Sequence, residues 1–250
     1  ADASLKPSPG SVAPGEVIDL TALRSGDTIT WKAPPGRWRI VRFGYTTTNQ
    51  KIQPAPPGGG GFESDKLSAT ATELQYRSYI SPMLSAAAAA SRSAFTLLMA
   101  DSWESGMQNW CADFPEQFRR RRGYDLTPWM PTLAGATVGS PQETLRFFND
   151  FRETISDLVI ENYYEKLRQL AHADHLAFAA EFAFAGPRLD AFQMTRALDI
   201  PMEEIWSDWK DGNPPAIPEG TIVPTIIANA AQVAGKRIFG YELFTSLRGD

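Results

Sequence analysis

Apolar and polar positions follow two different periods along this chain, and the change of period divides it. Up to about residue 50 the period is two. Val17-Ile-Asp-Leu20, Thr28-Ile-Thr-Trp-Lys32 and Trp38-Arg-Ile-Val-Arg-Phe-Gly-Tyr45 alternate, with Gly and Pro turns such as Pro34-Pro-Gly36 between them. This pattern predicts a small antiparallel sheet packed on one face. Pro54 to Gly61 is a Pro/Gly run that holds no regular structure. No Lys-Ser/Thr pair follows its glycines as a phosphate loop requires, so it reads as a linker or a loop against a site. A helix is expected over about 69–84.

From residue 95 the pattern becomes strand, then helix, repeatedly. Phe95–Ala100 is an apolar run of strand length. Asp113-Phe-Pro-Glu116 and Ser140-Pro-Gln-Glu143 both have capping-box spacing, and Gly123 follows the first helix. The second helix is expected to reach about His172. Leu145, Phe148, Phe151, Ile155, Leu158, Tyr163, Leu167 and Leu170 would share one of its faces. Further strands are expected at Leu176–Ala180, Ala197–Met202 and Arg237–Tyr241, and a helix from about Val223 to Ala234 closed by Gly235. Alternating β and α with short connections predicts an α/β fold with a parallel sheet. The predicted architecture is part of a (β/α)8, TIM-like barrel preceded by a small antiparallel β region. The divisions are 1–53 (β-rich accessory), 54–94 (Pro/Gly loop and helix leading in) and 95–250 (part of the barrel).

Composition narrows the function classes. The 250 residues are 43% hydrophobic and 21% charged, those of a soluble globular domain. A net charge of −5 argues against nucleic acid or an anionic membrane as partner. The basic run Arg119–Arg122 reads as a solvated face near a helix C-terminus. Cys111 is the only cysteine, so no internal disulfide forms. Two histidines, His172 and His175, are too few for a His-rich metal centre, and both read as structural. No run is long enough to span a bilayer. The chain begins at Ala1 and ends on Arg-Gly-Asp just past an expected strand, so a piece of a longer protein is expected.

The chemistry gathers at strand ends. The Phe95–Ala100 run gives way at once to Asp101, Trp103, Glu104, Asn109 and Trp110. Glu181, Glu204 and Glu242 close the three later strands in the same way. In a parallel sheet those ends lie on one face, so the carboxylates are expected to converge. Crowded acids push one member to keep its proton, which suits proton transfer to a leaving oxygen, while a charged neighbour activates water or attacks carbon. Indoles stack on sugar rings and amides bond hydroxyls, so Asp101, Trp103, Asn109, Trp110 and Glu181 are expected to contact substrate. Glu203, next to Glu204, is expected to point the other way and to be structural. Excess carboxylate suits calcium, with Glu63, Asp65, Asp101, Asp190 and Asp199 as candidate contributors. Zinc and Ser or Cys nucleophile chemistry lack their residue sets.

These motifs together resemble a known family. Asp101-Ser-Trp-Glu-Ser-Gly-Met-Gln-Asn-Trp110, Asp113-Phe-Pro-Glu-Gln-Phe-Arg119, Arg122-Gly-Tyr-Asp-Leu-Thr-Pro128, Asp199-Ile-Pro-Met-Glu-Glu-Ile-Trp206 and Gly240-Tyr-Glu-Leu-Phe-Thr245 are similar to glycoside hydrolase family 106, the α-L-rhamnosidases. Asp65-Lys-Leu-Ser68 extends the likeness toward the N-terminus. The resemblance implies an inverting enzyme that removes terminal α-L-rhamnose, with a calcium ion near the sugar. It implies Glu104 as general acid, Glu242 as general base and Glu204 as a third essential carboxylate. It further implies a rhamnose-containing oligosaccharide, polysaccharide or glycoside as substrate, bacterial polysaccharide degradation as setting, and a periplasmic or secreted parent. It does not fix the metal ligands. Glu203 stands where the family has glycine, and Ile205 where it has an aromatic. A retaining glycosidase with Glu242 as nucleophile, and a sugar-binding fragment without turnover, are the alternatives.

Overall fold

A computed structural model describes residues 10–52, 55, 57–87, 89–182, 186–206 and 225–245. Contacts divide the chain into two compact units, Ala1–Thr46 with Ala112–Thr154, and Thr47–Cys111 with Ile155–Asp250. This division interleaves along the sequence instead of following the linear boundaries expected at 53 and 94.

In the first unit the predicted sheet is reduced to a hairpin, β1 (Arg24–Ser25) against β2 (Thr28–Ile29). The expected strands at Val17–Leu20 and Trp38–Tyr45 do not form. Alternation marks which face an extended run would bury, but a strand also needs a neighbouring edge to bond. Among the described residues no strand runs beside Trp38–Tyr45, and Ile40 and Tyr45 stay exposed.

The second half of this unit carries an aromatic core. Helix α4 (Phe114–Arg122) ends at Gly123, whose φ of 82° closes the last turn as expected. Phe114 and Phe118 are fully buried, and Phe147 and Phe151 of helix α5 (Pro141–Val159) pack against them with ring centroids 5.0–6.0 Å apart. Such pairs add about 0.5–1.5 kcal/mol each beyond their burial. Ser140 and Glu143 form a true capping box. The Ser140 amide donates to Glu143 (2.7 Å) and the Glu143 amide donates to Ser140 Oγ (3.2 Å). At Asp113 the expected box is not made; its carboxylate accepts from Gln117 Nε2 instead. Leu145 is exposed, and Phe147 takes the core position expected of it. The arginine run is engaged on the helix surface, Arg119 with Glu116 and Arg122 with Glu153 and Thr154.

The second unit holds a four-stranded parallel sheet in the order β3 (Leu97–Ala100), β4 (Ala177–Glu181), β5 (Ile200–Trp206), β6 (Gly240–Thr245). Each strand pairs with the next in sequence, so every connection is a helical crossover. Helix α7 (Ala191–Ala197) joins β4 to β5 and α8 (Thr225–Val233) lies between β5 and β6. Phe178, Ala179 and Ala180 of β4 are completely buried, as are Met194 and Ala197 of α7 and Ala230 of α8. A strand buried on both faces reads as a continuous apolar run, which is how the sequence presents it. Several strand boundaries move. β5 begins at Ile200, because Ala197 still belongs to α7, and both β5 and β6 run on past their glutamates.

The long predicted helices are interrupted by wide turns. Helix α1 (Ala69–Gln75) passes through a π-turn, Tyr76–Ile80, into α2 (Ser81–Ala86), and the short α3 (Ala89–Arg92) follows. Ile160–Glu165 likewise separates α5 from α6 (Lys166–Ala173). Period-based reading cannot see such insertions, because one π-turn shifts the register without ending the helix. Across these segments Tyr76 donates to Asp174 (2.7 Å) and Lys166 pairs with Glu73 (2.6 Å). His172 meets Asp199 at 2.7 Å, and Asp199 also accepts the Phe178 amide, so this histidine is structural as expected. No described helix is long and apolar enough to cross a membrane.

Candidate active site

Register brings the acids together. Ala100 is level with Ala180, which leaves Asp101 beside Glu181 at the next step. Glu181 is level with Met202, and Glu204 is level with Glu242. Met202 and Glu204 are two apart and share a face, because strand side chains alternate. Glu181, Glu204 and Glu242 therefore project from the same side of the sheet near its C-terminal edge. Carboxylate oxygens of Asp101, Glu181 and Glu242 lie within 4.8 Å of one another.

Glu181 is the most constrained member. It is 0% exposed, and neither side-chain oxygen meets a donor among the described residues. Burial raises its pKa to about 8, with the charges of Asp101, Glu204 and Glu242 acting in the same sense and Asp101 near enough to share a proton with it. Two carboxyl groups bond to each other only when one carries a proton. At neutral pH the cluster thus holds a proton on Glu181 or a cation in its place. Like charges about 4 Å apart cost on the order of 4 kcal/mol per pair at an effective dielectric near 20, so the fold maintains this crowd against a real opposing force.

Glu104 stands apart from this group of oxygens. It lies in the loop after β3, exposed, and accepts from Ser102 Oγ at 3.3 Å. Asn109 is exposed and Trp110 half-buried on the same loop. Trp103 is different. It is 2% exposed, its Nε1 donates to the Gly106 carbonyl, and a side chain at Gly186 would run into its indole. The Lys66 ammonium sits 5.4 Å from its ring centre and Tyr163 meets it edge-on. With its faces taken by protein, Trp103 shapes the loop and offers no platform for a sugar.

The expected calcium contributors separate in the same way. Glu63 is paired with Lys66, Asp65 accepts the Leu67 amide, Asp190 caps α7 through the Gln193 amide, and Asp199 serves His172 and Phe178. Only Asp101 of that set joins the acid cluster. Glu203 points to the opposite face from Glu204, level with Tyr241, as its parity demands. It is 1% exposed with Oε2 unpartnered among the described residues, and burial raises its pKa to about 7. Local sequence does not mark the Glu63–Lys66 pair or the contact of Lys66 with Trp103, because a lysine in a loop is normally solvated.

The chain is similar to known proteins over nearly its whole length. A curated protein of Formosa agariphila named "Putative beta-glucuronidase" is 38% identical over 249 residues, 99% of this chain and 21% of that protein. A solved rhamnosidase structure from Novosphingobium sp. PP1Y matches with a TM-score of 0.74 at 28% identity, over 94% of this chain and 23% of its own. The chain thus spans about a fifth of the relatives it matches. The glycoside hydrolase 106 model, described as alpha-L-rhamnosidase, matches residues 3–249, and with nearly its whole length covered the chain belongs to that family.

Proposed function

We propose that this chain carries the acid–base centre of a glycosidase that hydrolyses terminal α-L-rhamnosides with inversion. The observation that carries the reading is the convergence of Asp101, Glu181, Glu204 and Glu242 at one end of four adjacent parallel strands. In (β/α)8 enzymes the chemistry sits at that end, which supports reading β3–β6 as part of such a barrel.

Glu104 donates its proton to the glycosidic oxygen as the C–O bond breaks. Glu242 takes a proton from water, whose oxygen attacks the anomeric carbon from the opposite face. Glu204, level with Glu242, orients the sugar or shares the base role. Inverting pairs are separated by about 6.5–9.5 Å to admit the water. The position of Glu104 outside the tight oxygen group is compatible with such a gap. The Formosa relative's name raises a uronic acid as the alternative sugar. A uronate would bring another negative charge to four carboxyl groups, so the crowd favours a neutral sugar.

The family implies calcium. Asp101, Glu181 and Glu242 fit it, because the buried Glu181 oxygens lack donors and hard cations take oxygen ligands. Bound there, the ion would neutralise the crowded carboxylates and add ligand positions for sugar hydroxyls. A periplasmic or secreted setting goes with a polysaccharide or glycoside substrate.

The test is a panel of aryl glycosides with the full-length protein, followed by NMR of the first-formed anomer. Aryl α-L-rhamnoside should be cleaved and β-L-rhamnose should appear first. Prior appearance of the α-anomer would replace inversion with retention, and cleavage of aryl glucuronide alone would replace the sugar.

A further inference from the structure

The residues that hold the acid-bearing loop lie outside the acid cluster. The loop 101–111 has no regular structure, yet it carries both Asp101 and Glu104. Its inner side rests on residues 63–67. The Lys66 amide donates to Gln108 Oε1 (2.8 Å) and Gln108 Nε2 donates back to the Ser64 carbonyl (2.8 Å), so one buried glutamine closes a ring between the segments. The Lys66 ammonium is buried, paired with Glu63 at 2.6 Å, and sits 5.4 and 5.2 Å from the ring centres of Trp103 and Tyr163. The π-turn Ile160–Glu165 completes the support, with Asn162 Nδ2 donating to the Leu67 carbonyl (2.6 Å). At its other end Trp103 is fixed by Gly106 and Gly186.

This arrangement is costly to build. Burying an ion pair rarely adds stability over an apolar pair of the same shape. A loop that needed only to be covered would use leucine. What the pair adds is direction: a cation between two rings and a carboxylate has one resting place, and Trp103 is tied to it. Glu104 is the residue after Trp103. The geometry points to Lys66 and Gln108 as positioning residues that set where the Glu104 carboxyl stands relative to the scissile oxygen. This rests on the reading of Glu104 as general acid. Neither residue reaches the acid cluster itself, so neither is catalytic. A displacement of about 1 Å at a reacting group costs up to about 100-fold in rate, so a loose brace should be visible in turnover.

The experiment uses the full-length protein and two substrates, 2,4-dinitrophenyl and phenyl α-L-rhamnoside. The first leaving group needs little protonation and the second needs it strongly, so misplacement of an acid affects them unequally. Lys66→Met keeps the stem and removes the charge. Gln108→Met is the milder variant, uncharged and of similar shape, and it decides the matter if Lys66→Met does not fold. Glu104→Gln runs alongside as the reference. The expected result is a loss of kcat of about 30- to 100-fold on the phenyl substrate, under about 3-fold on the dinitrophenyl substrate, with KM little changed, and a flattened basic limb of the pH profile. Equal losses on both substrates in the folded variants would make the brace a matter of stability alone and overturn the proposal. If Glu104→Gln itself shows no leaving-group selectivity, the acid assignment fails. If Glu104→Gln is selective and the brace variants are not, only the positioning role fails.

Discussion

The two faces of β5 and β6 put the same residue type to opposite use. On one face Glu204 and Glu242 stand level, half-buried, with Glu181 and Asp101 beside them. On the other, Glu203 is sealed next to Tyr241 with an oxygen unpartnered among the described residues. On the first face Asp101, Glu204 and Glu242 add to burial in raising the pKa of Glu181. The acid of the second face is perturbed by burial alone. A raised carboxyl pKa therefore marks two things here. On the front, at Glu181, it reflects burial first and then a gathering of charges, which is what proton transfer needs. On the back, at Glu203, it reflects burial with no neighbouring acid among its causes.

The sharpest way to break this contrast is to neutralise one acid on each face in the full-length protein. Glu242→Gln should lower turnover by about 1,000-fold or more, because a general base and its charge are both lost. Glu203→Gln should leave turnover within about 3-fold, as expected for a group that touches no reacting atom. A large loss at Glu203 with Glu242→Gln still active would reverse the assignment of faces. Glu104→Gln should cost about 100- to 10,000-fold on an unactivated rhamnoside, measured as kcat/KM.

Metal removal is the next test. Treatment with a chelator should abolish most activity, and added calcium should restore it; unchanged rates after thorough dialysis against chelator would remove the ion from the proposal. Because the proposed ligands are front-face acids, Glu203→Gln should leave calcium affinity unaltered in a titration calorimeter.

Stability against pH separates the faces more finely. Glu203 has its pKa raised from 4.5 to about 7 in the folded chain. Below 4.5 the carboxyl is protonated in both folded and unfolded states and costs nothing extra. Between 4.5 and about 7 the folded state holds the proton and the unfolded state releases it, so stability falls as pH rises. Glu203→Gln cannot ionise. The variant should match the parent near pH 4 and exceed it above pH 7, by a few degrees in Tm. A Tm difference independent of pH would show that Glu203 does not titrate across that window. The smallest expected effect lies away from both faces. Ser140→Ala removes one half of a capping box and should cost about 1 kcal/mol in chemical denaturation, with turnover unchanged.

Much of the site was legible before any coordinates. An apolar run that stops at an acid is visible in sequence, and four such stops at separate strands imply convergence once the strands are parallel. That Glu204 and Glu242 close strands and that Glu203 takes the opposite side follows from the strand pattern, whereas the roles proposed for Glu204 and Glu242 come from the family resemblance. Sequence places Glu181 among the converging strand-end acids and Asp101 among the candidate calcium ligands and substrate contacts; their central place comes from register, since Ala100 lies level with Ala180. Trp103 was misleading for a general reason. An indole beside an acid reads equally well as a sugar platform or as packing, and only its surroundings distinguish the two.

The chain's own pattern determined which segments are strands and helices in the α/β region, which residue of each strand is an acid, and which side of the strand that acid takes. These depend on neighbours within a few residues, so sequence carries them. Tertiary structure decided what those side chains meet: that among the described residues the alternating runs near the N-terminus form only a two-stranded hairpin, that no donor there reaches the Glu181 oxygens, and that Lys66 and Tyr163 lie against Trp103. Those outcomes depend on contacts between residues tens of positions apart, where burial and pairing are set by the packed fold and leave no mark on local periodicity.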